Sequence, residues 1–438
     1  MTAIAFLIGV VVLVVGLAVS IALHELGHLV PAKRFGVRVG KYMIGFGPTL
    51  WSRRRGETEY GFKAIPLGGY ISMAGMYPPS PKQRAAVAAG ARPGRAGGGF
   101  FATMVQDARD ANDETLQGED DERVFYRLPI WKRIVVMLGG PVMNLLFAIV
   151  LFTIVFSGIG VQTATTTVAG VSECVPMTLV SECTPADPAP PAAEAGIQAG
   201  DVIVSVEGTD VATFAEASAI IRQSPGVPVT LVVERDGEEQ TIIVTPATVL
   251  VEPGDDPAEE PAAVGFVGIR PEVDTVRQPL WSGAQAAVEN VGAVAGIIWQ
   301  LPVKIYDAAV SLVTGEERDP NGPLSIVGAG ILAGEVATVD TPIVNRVSAM
   351  LGLLASLNIA LFVFNLIPLL PLDGGHVAVA LWEGIKRVWA RIFKLPEPKP
   401  VDATKLVPVT FVVVIALGIM GGVLILADIF NPISILGP

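Results

Sequence analysis

The chain has 438 residues, of which 51% are hydrophobic and only 16% are charged. This composition is too apolar for an ordinary soluble protein of this length and favours a membrane protein. The formal net charge is −12, and the acidic residues concentrate in residues 159–344, which argues against nucleic acid as a partner.

Four apolar stretches are long enough to cross a bilayer, which takes about 20 helical residues. The first lacks a basic start and is too long for a cleaved signal peptide. A fifth stretch, 284–312, carries polar and charged residues and is predicted to be an amphipathic helix on or near the membrane surface. The four transmembrane segments are predicted at 1–30, 123–158, 346–382 and 406–438, the last including a tail, with apolar cores at 4–30, 134–158, 350–370 and 406–426.

The first span ends in His24-Glu25-x-x-His28, which contains two of the three histidines in the chain. Residues four apart share a helix face, so both imidazoles can bind one metal ion, and Glu25 can take a proton from a water on it. The pattern predicts a zinc site with Glu25 as the general base. The alternative, two histidines packed in a helix bundle, is disfavoured because ionisable residues within membrane segments are costly.

The next segment is 31–77, and within it residues 37–75 show the alternation of apolar and polar residues that is typical of β-strands. The segment is predicted to be a membrane-associated β-meander beside the metal motif. Residues 78–122 are rich first in Ala, Gly and Arg and then in Asp and Glu. They are predicted to be a disordered cytoplasmic insertion.

Charge asymmetry predicts the orientation. Basic residues cluster between the first two spans and in the segment 383–405, predicted to be a loop, whereas 159–344 is acidic. The positive-inside rule places the basic segments in the cytoplasm and the acidic segment outside. We therefore expect a multi-pass plasma-membrane protein that crosses four times, with both termini outside and the metal motif near the cytoplasmic side.

The external segment contains Ala195-Gly196-Ile197-x-x-Gly200-Asp201-x-Ile203, followed by helix-like and strand-like stretches. This pattern resembles the core of a PDZ domain, predicted at 159–250, which would bind extended peptides or their termini by adding a strand to a sheet edge. The alternative is a small β-rich spacer. Residues 251–345 are predicted to be a linker and amphipathic helices.

Cys174 and Cys183 are the two cysteines of the chain. Both fall in the predicted external segment, so a disulfide closing a small loop is expected in an oxidising compartment. A pair of unpaired thiols is the alternative.

A catalytic zinc normally has three protein ligands, so the metal motif needs a third. Asp373 follows the third span, which runs in the same direction as the first, so it reaches the same side of the membrane as His24 and His28. Pro368 and Pro371 interrupt the helix before it, which predicts irregular backbone. His376 is the competing ligand.

The combined motifs resemble the bacterial site-2 proteases, in particular the RseP-like branch with a PDZ domain. The resemblance implies an α-helical integral membrane protein with four transmembrane helices, the β-meander and an extracytoplasmic PDZ domain. It favours Asp373 as the third ligand and Asn365 as a substrate-binding residue. The matching residues are His24-Glu25-x-x-His28, Gly45-Phe46-Gly47, Gly68-Gly69-Tyr70, Gly140-Pro141-x-x-Asn144, Gly322-Pro323, Asn365-x-x-Pro368 and Leu372-Asp373-Gly374.

The implied activity is zinc-dependent hydrolysis of peptide bonds within the membrane, with one Zn²⁺ per chain. The substrates would be single-span proteins such as anti-sigma factors or remnant signal peptides, held extended by the β-meander and filtered by the PDZ domain. Asn144, polar within the second span, is predicted to contact substrate or the metal site, and a helix-to-helix hydrogen bond is equally open. The chain departs from the family pattern in its 78–122 insertion and its single PDZ domain.

Two other functions remain open at this point. An inactive scaffold would bind metal and use its PDZ domain, although it would have no need of Glu25. A zinc transporter would use buried His and Asp groups as ion sites, but ionisable groups are then expected on more helices than the sequence predicts.

Overall fold

The computed structural model describes residues 2–76, 122–175, 187–251, 262–316, 318–320, 322–396, 398, 401 and 406–433. The chain forms two compact units, Met1–Ile159 with Pro279–Pro438, and Gly160–Gln278. The predicted insertion 78–122 lies, except for residue 122, outside the described residues.

The first unit consists of helices and one β-hairpin. Strands β1 (Val39–Arg55) and β2 (Thr58–Met73) pair antiparallel as a long hairpin. Residues 41–44 of β1 pair with both 59–62 and 69–72 of β2, so the hairpin folds back on itself in the region predicted as a β-meander. The elements of the unit, numbered in chain order, are α1 (Thr2–Arg34), β1 (Val39–Arg55), β2 (Thr58–Met73), a 3₁₀ turn (Phe125–Arg127), α2 (Ile130–Thr153) with a π-helical extension (Ile154–Ile159), α5 (Ser282–Thr314), α6 (Ile326–Thr338), α7 (Ile343–Asn365), α8 (Asp373–Ile392) and α9 (Val407–Phe430).

Five helices in the described part of the chain are long and apolar enough to cross a membrane: α1, α2, α5, α7 and α9. Four of them overlap the predicted spans, and several apolar helices of this length are expected of a membrane protein. The fifth, α5, is the stretch predicted to lie at the surface. At 33 residues it is long enough for either position, so the count of four spans remains a prediction.

The region predicted as the third transmembrane span, 346–382, contains parts of two helices. α7 ends at Asn365 and α8 begins at Asp373, with irregular backbone between them, since Pro368 and Pro371 lack the N–H that continues a helix. The prediction of a loop over 383–405 was wrong up to Ile392, because α8 continues through it. The helical period of its apolar residues outweighs its basic charge.

Close backbone contact joins α1 to α2. A Cβ atom built on Gly27 would lie 2.1 Å from the carbonyl oxygen of Gly139, and one built on Gly139 would lie 2.0 Å from that of Gly27. Any side chain at either position would separate the helices. A second contact joins α1 to α7, where Asn358 Nδ2 donates to Ser20 Oγ at 2.9 Å.

The second unit is β-rich. Six strands form one sheet in the order β10-β3-β4-β6-β7, with β5 paired to β4, and β8 pairs with β9. The last strands carry the unit to Gln278, beyond the predicted boundary at 250. Its elements are β3 (Val161–Val171), α3 (Pro191–Glu194), β4 (Val202–Val206), β5 (Thr209–Asp210), α4 (Phe214–Arg222), β6 (Val229–Arg235), β7 (Glu238–Val244), β8 (Ala247–Val251), β9 (Ala262–Phe266) and β10 (Ile269–Val276).

Cys174 is disulfide-bonded in the structure. Cys183 lies outside the described residues, so the pairing of these two cysteines stays a prediction.

Asp201 anchors the turn that precedes β4 in this β-rich unit. Its carboxylate accepts two hydrogen bonds from the Arg235 guanidinium, both 2.7 Å, and one from the backbone N–H of Gln198 at 2.9 Å. The Asp201 side chain is almost fully buried. The Arg235 hydrogen bonds hold the pKa of Asp201 below its ordinary value of 3.8.

Because the folded-state pKa of Asp201 is depressed, its contribution to stability is complete above about pH 4 and is lost as pH falls through the folded-state value. We predict that Asp201→Asn destabilises this unit by roughly 1.5–3 kcal/mol near neutral pH, as expected for a hydrogen bond to a charged group. Below the folded-state pKa, wild type and variant should converge. Hydrogen exchange of the β4 and β6 amides, corrected for intrinsic rates, measures both effects; a constant difference down to pH 2 would contradict this account.

Candidate metal centre

Three side chains from two helices meet at one point. His24 and His28 project from one face of α1, and Asp373 is the first residue of α8. The two Nε2 atoms lie 3.2 Å apart, and each lies 3.3 Å from Asp373 Oδ2. These are the residues in the described part of the chain whose ligand atoms cluster closely enough to hold a metal ion.

The spacing of these atoms fits a tetrahedral cation. With metal–ligand bonds of about 2.0–2.1 Å, tetrahedral geometry separates neighbouring ligand atoms by about 3.3 Å. Asp373 Oδ2 is also buried with no hydrogen-bond partner, which is costly unless a cation satisfies it. The donor set therefore fits a four-coordinate metal with one position left for water.

Backbone contacts fix His28. Its Nδ1 lies 2.7 Å from the carbonyl oxygen of Val136 on α2, so Nδ1 carries the proton and donates, and Nε2 keeps its lone pair for a metal. Gly140, one turn further along α2, makes room for the rings, because a Cβ there would lie 2.2 Å from His28 Nε2.

Asn144 faces the other imidazole. Its side-chain amide lies 3.2 Å from His24 Nδ1 and is almost completely buried. Its Oδ1 has no hydrogen-bond partner. Turning the amide by 180° lets Oδ1 accept Nδ1–H of His24 and leaves His24 Nε2 for the metal.

Glu25 is buried beside the cluster, with 8% of its surface exposed. The hairpin lies against it: a Cβ built on Gly69 of β2 would lie 2.9 Å from Glu25 Cγ. Tyr42 of β1 donates a 2.8 Å hydrogen bond to the carbonyl oxygen of Ala22 on α1. The predicted β-structure is thus attached to the helix that carries the metal motif.

The remaining predicted residues, Asn365 and His376, do not belong to the ligand cluster of the described residues. Asn365 is the last residue of α7, and its Nδ2 donates to the Leu361 carbonyl oxygen at 3.0 Å. His376, the competing ligand, lies one turn into α8 and is not part of the ligand cluster in the described residues. The geometry favours Asp373 over His376.

Sequence reasoning missed an ion-pair cluster that holds α8 in place. Glu383 of α8 is buried and lies 2.9 Å from Arg133 of α2 and 2.7 Å from Arg387. The i,i+4 spacing of Glu383 and Arg387 was visible in the sequence, but the contact with Arg133, 250 positions away, had no sequence signal. The prediction also missed Asp428, which is buried on α9 with Arg318, beyond the predicted end of the fourth span's core at 426.

Two imidazoles and a carboxylate around one point, with a buried glutamate beside them in a bundle of apolar helices, are typical of metal-dependent hydrolases. The profile of peptidase family M50 matches residues 12–394. The chain belongs to this family, which confirms the relationship to the site-2 proteases expected from the motifs.

Curated relatives match almost the whole chain. The chain is 36% identical over 449 residues to the zinc metalloprotease Rip1 of Mycobacterium tuberculosis, covering 98% of this chain and 99% of the relative. It is also 36% identical to Rip1 of Mycolicibacterium smegmatis, with the same coverage. The metalloprotease MmpA of Caulobacter vibrioides is 30% identical over 403 residues, covering 88% of each chain.

The space that Gly140 leaves for the imidazoles is directly testable. In Gly140→Ala, the new Cβ would overlap His28 Nε2, so the bound metal per purified chain should fall by about tenfold or more. Gly352→Ala on α7 is the matched control, since a Cβ there meets nothing within 4 Å. Elemental analysis of both variants gives the result; equal metal content would show that the imidazole rings do not lie against Gly140.

Proposed function

We propose that this chain is an intramembrane zinc metalloprotease that hydrolyses peptide bonds within the transmembrane segments of single-span proteins. The observation that carries the proposal is the cluster of His24, His28 and Asp373 beside buried Glu25. Membership of a peptidase family and the similarity to proteins named zinc metalloproteases support it.

The donor set suits Zn²⁺. Two neutral imidazoles and one carboxylate, with an open fourth position, form a common set of ligands in catalytic zinc sites. When bound, zinc supplies Lewis-acid polarisation and lowers the pKa of a coordinated water toward about 7. We assign His24, His28 and Asp373 as its ligands and Asn144 as the residue that orients His24.

Glu25 performs the proton transfers in this proposal. It takes the proton of the attacking water and delivers it to the amine nitrogen of the leaving peptide segment. Glu25 is buried in the apolar helical unit, where bulk water that could compete for these protons is scarce.

The hairpin offers a place for an extended substrate. In the described part of the chain, residues 41–44 of β1 pair on both sides, with 59–62 and with 69–72 of β2, so the unpaired edges lie along 51–55 and 69–73. A substrate helix hides its carbonyl groups in hydrogen bonds, and it exposes them only after unwinding. Addition of the unwound segment to a strand edge would hold it beside Glu25, and Asn365 is the proposed contact to its backbone.

The orientation is part of the same proposal. Four spans, both termini and a PDZ domain outside, and a metal site near the cytoplasmic side follow from the charge distribution. The six-stranded sheet of Gly160–Gln278 supports a PDZ-like domain that binds peptide termini or excludes substrates with bulky external parts.

Replacing the general base separates catalysis from metal binding. We expect Glu25→Gln to reduce cleavage of a co-reconstituted single-span substrate by about 10²–10⁴-fold while the zinc content stays the same. Glu289→Gln, at an exposed position on α5, is the control. Undiminished cleavage by Glu25→Gln would refute the protease assignment, and absence of cleavage by the wild type would favour an inactive scaffold.

The third ligand is tested by two variants. We expect Asp373→Asn to lose most of its zinc and His376→Ala to keep it. Of these two residues, Asp373 belongs to the ligand cluster and His376 does not. Zinc content after dialysis against a weak chelator distinguishes them. Loss of zinc in His376→Ala alone would reverse the assignment.

A further inference from the structure

Helix α8 has an apolar face that no described residue covers. Its large apolar side chains are half to two-thirds exposed, and they recur at positions 381, 385, 388 and 392, the spacing of one helix face. The opposite side, which includes Glu383 and Ala390, is buried. The exposed residues are Leu381, Trp382, Ile385, Val388, Trp389, Ile392 and Phe393.

Basic residues flank this face. Arg391 and Lys394 are exposed and Lys386 is half-buried, and none of the three forms an ion pair with a residue in the described ranges. The single acidic residue of α8 after its first turn, Glu383, is already paired with Arg133 and Arg387. The positive charge beside the apolar face is therefore not neutralised by any residue in the described ranges.

The start of α2 continues the same surface. A Cβ on Gly384 would lie 3.5 Å from Ile130, so the middle of α8 lies against the first residue of α2. The neighbouring Trp131 is 58% exposed, and Lys132 Nζ lies 5.6 Å from the centre of its ring.

Tryptophan and basic residues together are typical of the membrane–water interface, and clusters of Lys and Arg attract anionic lipids. Helix α8 is not among the helices of the described chain that are apolar enough to cross a membrane. A helix with a bare apolar face and a basic edge is suited to lie in the interface.

We propose that α8 and the start of α2 form a binding surface for the headgroups of anionic phospholipids. Lys386, Arg391 and Lys394 donate to the phosphate oxygens, and the apolar face lies among the acyl chains. Because α8 begins with Asp373 and is joined to α2 through Glu383, this surface holds the helix that carries the carboxylate of the metal site.

The test uses the full-length protein in mixed micelles that contain either brominated phosphatidylglycerol or brominated phosphatidylcholine. Bromine quenches the fluorescence of nearby tryptophan side chains, and Trp382 and Trp389 lie on the proposed surface. We expect the tryptophan fluorescence of the wild type to be quenched at a lower concentration of brominated phosphatidylglycerol than of brominated phosphatidylcholine. The triple variant K386Q, R391Q, K394Q should lose about tenfold or more of this preference, and added salt should weaken the preference in the wild type.

A matched control removes the same charge elsewhere. The variant R222Q, R270Q, R277Q changes three exposed arginines of the β-rich unit and should keep the lipid preference. Equal quenching of the wild type by both lipids would overturn the proposal, as would an equal loss in both triple variants. Weak quenching by either lipid, with a particle mass of two chains, would instead assign the apolar face to a second copy. If the α8 variant fails to fold, the wild type alone tests the proposal, because a preference for the anionic lipid that added salt does not weaken would contradict it.

Discussion

The metal site depends on the backbone contact between α1 and α2. Gly27 and Gly139 let the two helices touch, and Gly140 leaves space for the imidazole rings above it. Only at this separation can the Val136 carbonyl oxygen reach His28 at 2.7 Å. A single methyl group at any of these glycines would displace the helices or the rings, since packed backbones cannot yield without a larger shift.

Helix α2 contributes no side chain to the cluster of His24, His28 and Asp373, yet its contacts support all three residues. The Val136 carbonyl oxygen and the Asn144 side chain contact the two imidazoles, and Arg133 binds Glu383 of the helix that begins with Asp373. Partners of this kind set ring orientation and ligand basicity. The buried ion pair is costly to desolvate, which is consistent with a role in positioning α8.

The sequence was most informative where a local spacing has one chemical meaning. The spacing of His24 and His28 predicted that the two side chains share a helix face, and the predicted direction of the spans placed Asp373 on the same side of the membrane. The structure brings the three side chains together. The Val136 contact was not predictable, because every residue carries a carbonyl group. The continuation of α8 beyond 382 was visible as apolar periodicity, but its basic residues favoured a loop. The position of α5 was ambiguous because its composition lies between that of a spanning and a surface helix.

The two imidazoles differ in how easily a mutation can remove their hydrogen-bond partners. The acceptor for His28 is a main-chain oxygen, which every substitution at position 136 retains as long as the helix persists. The partner of His24 is the side chain of Asn144, which one codon change can remove. Evolution can therefore tune the metal affinity of such a centre gradually through the residue beside His24, while the orientation of His28 is insensitive to which residue occupies position 136.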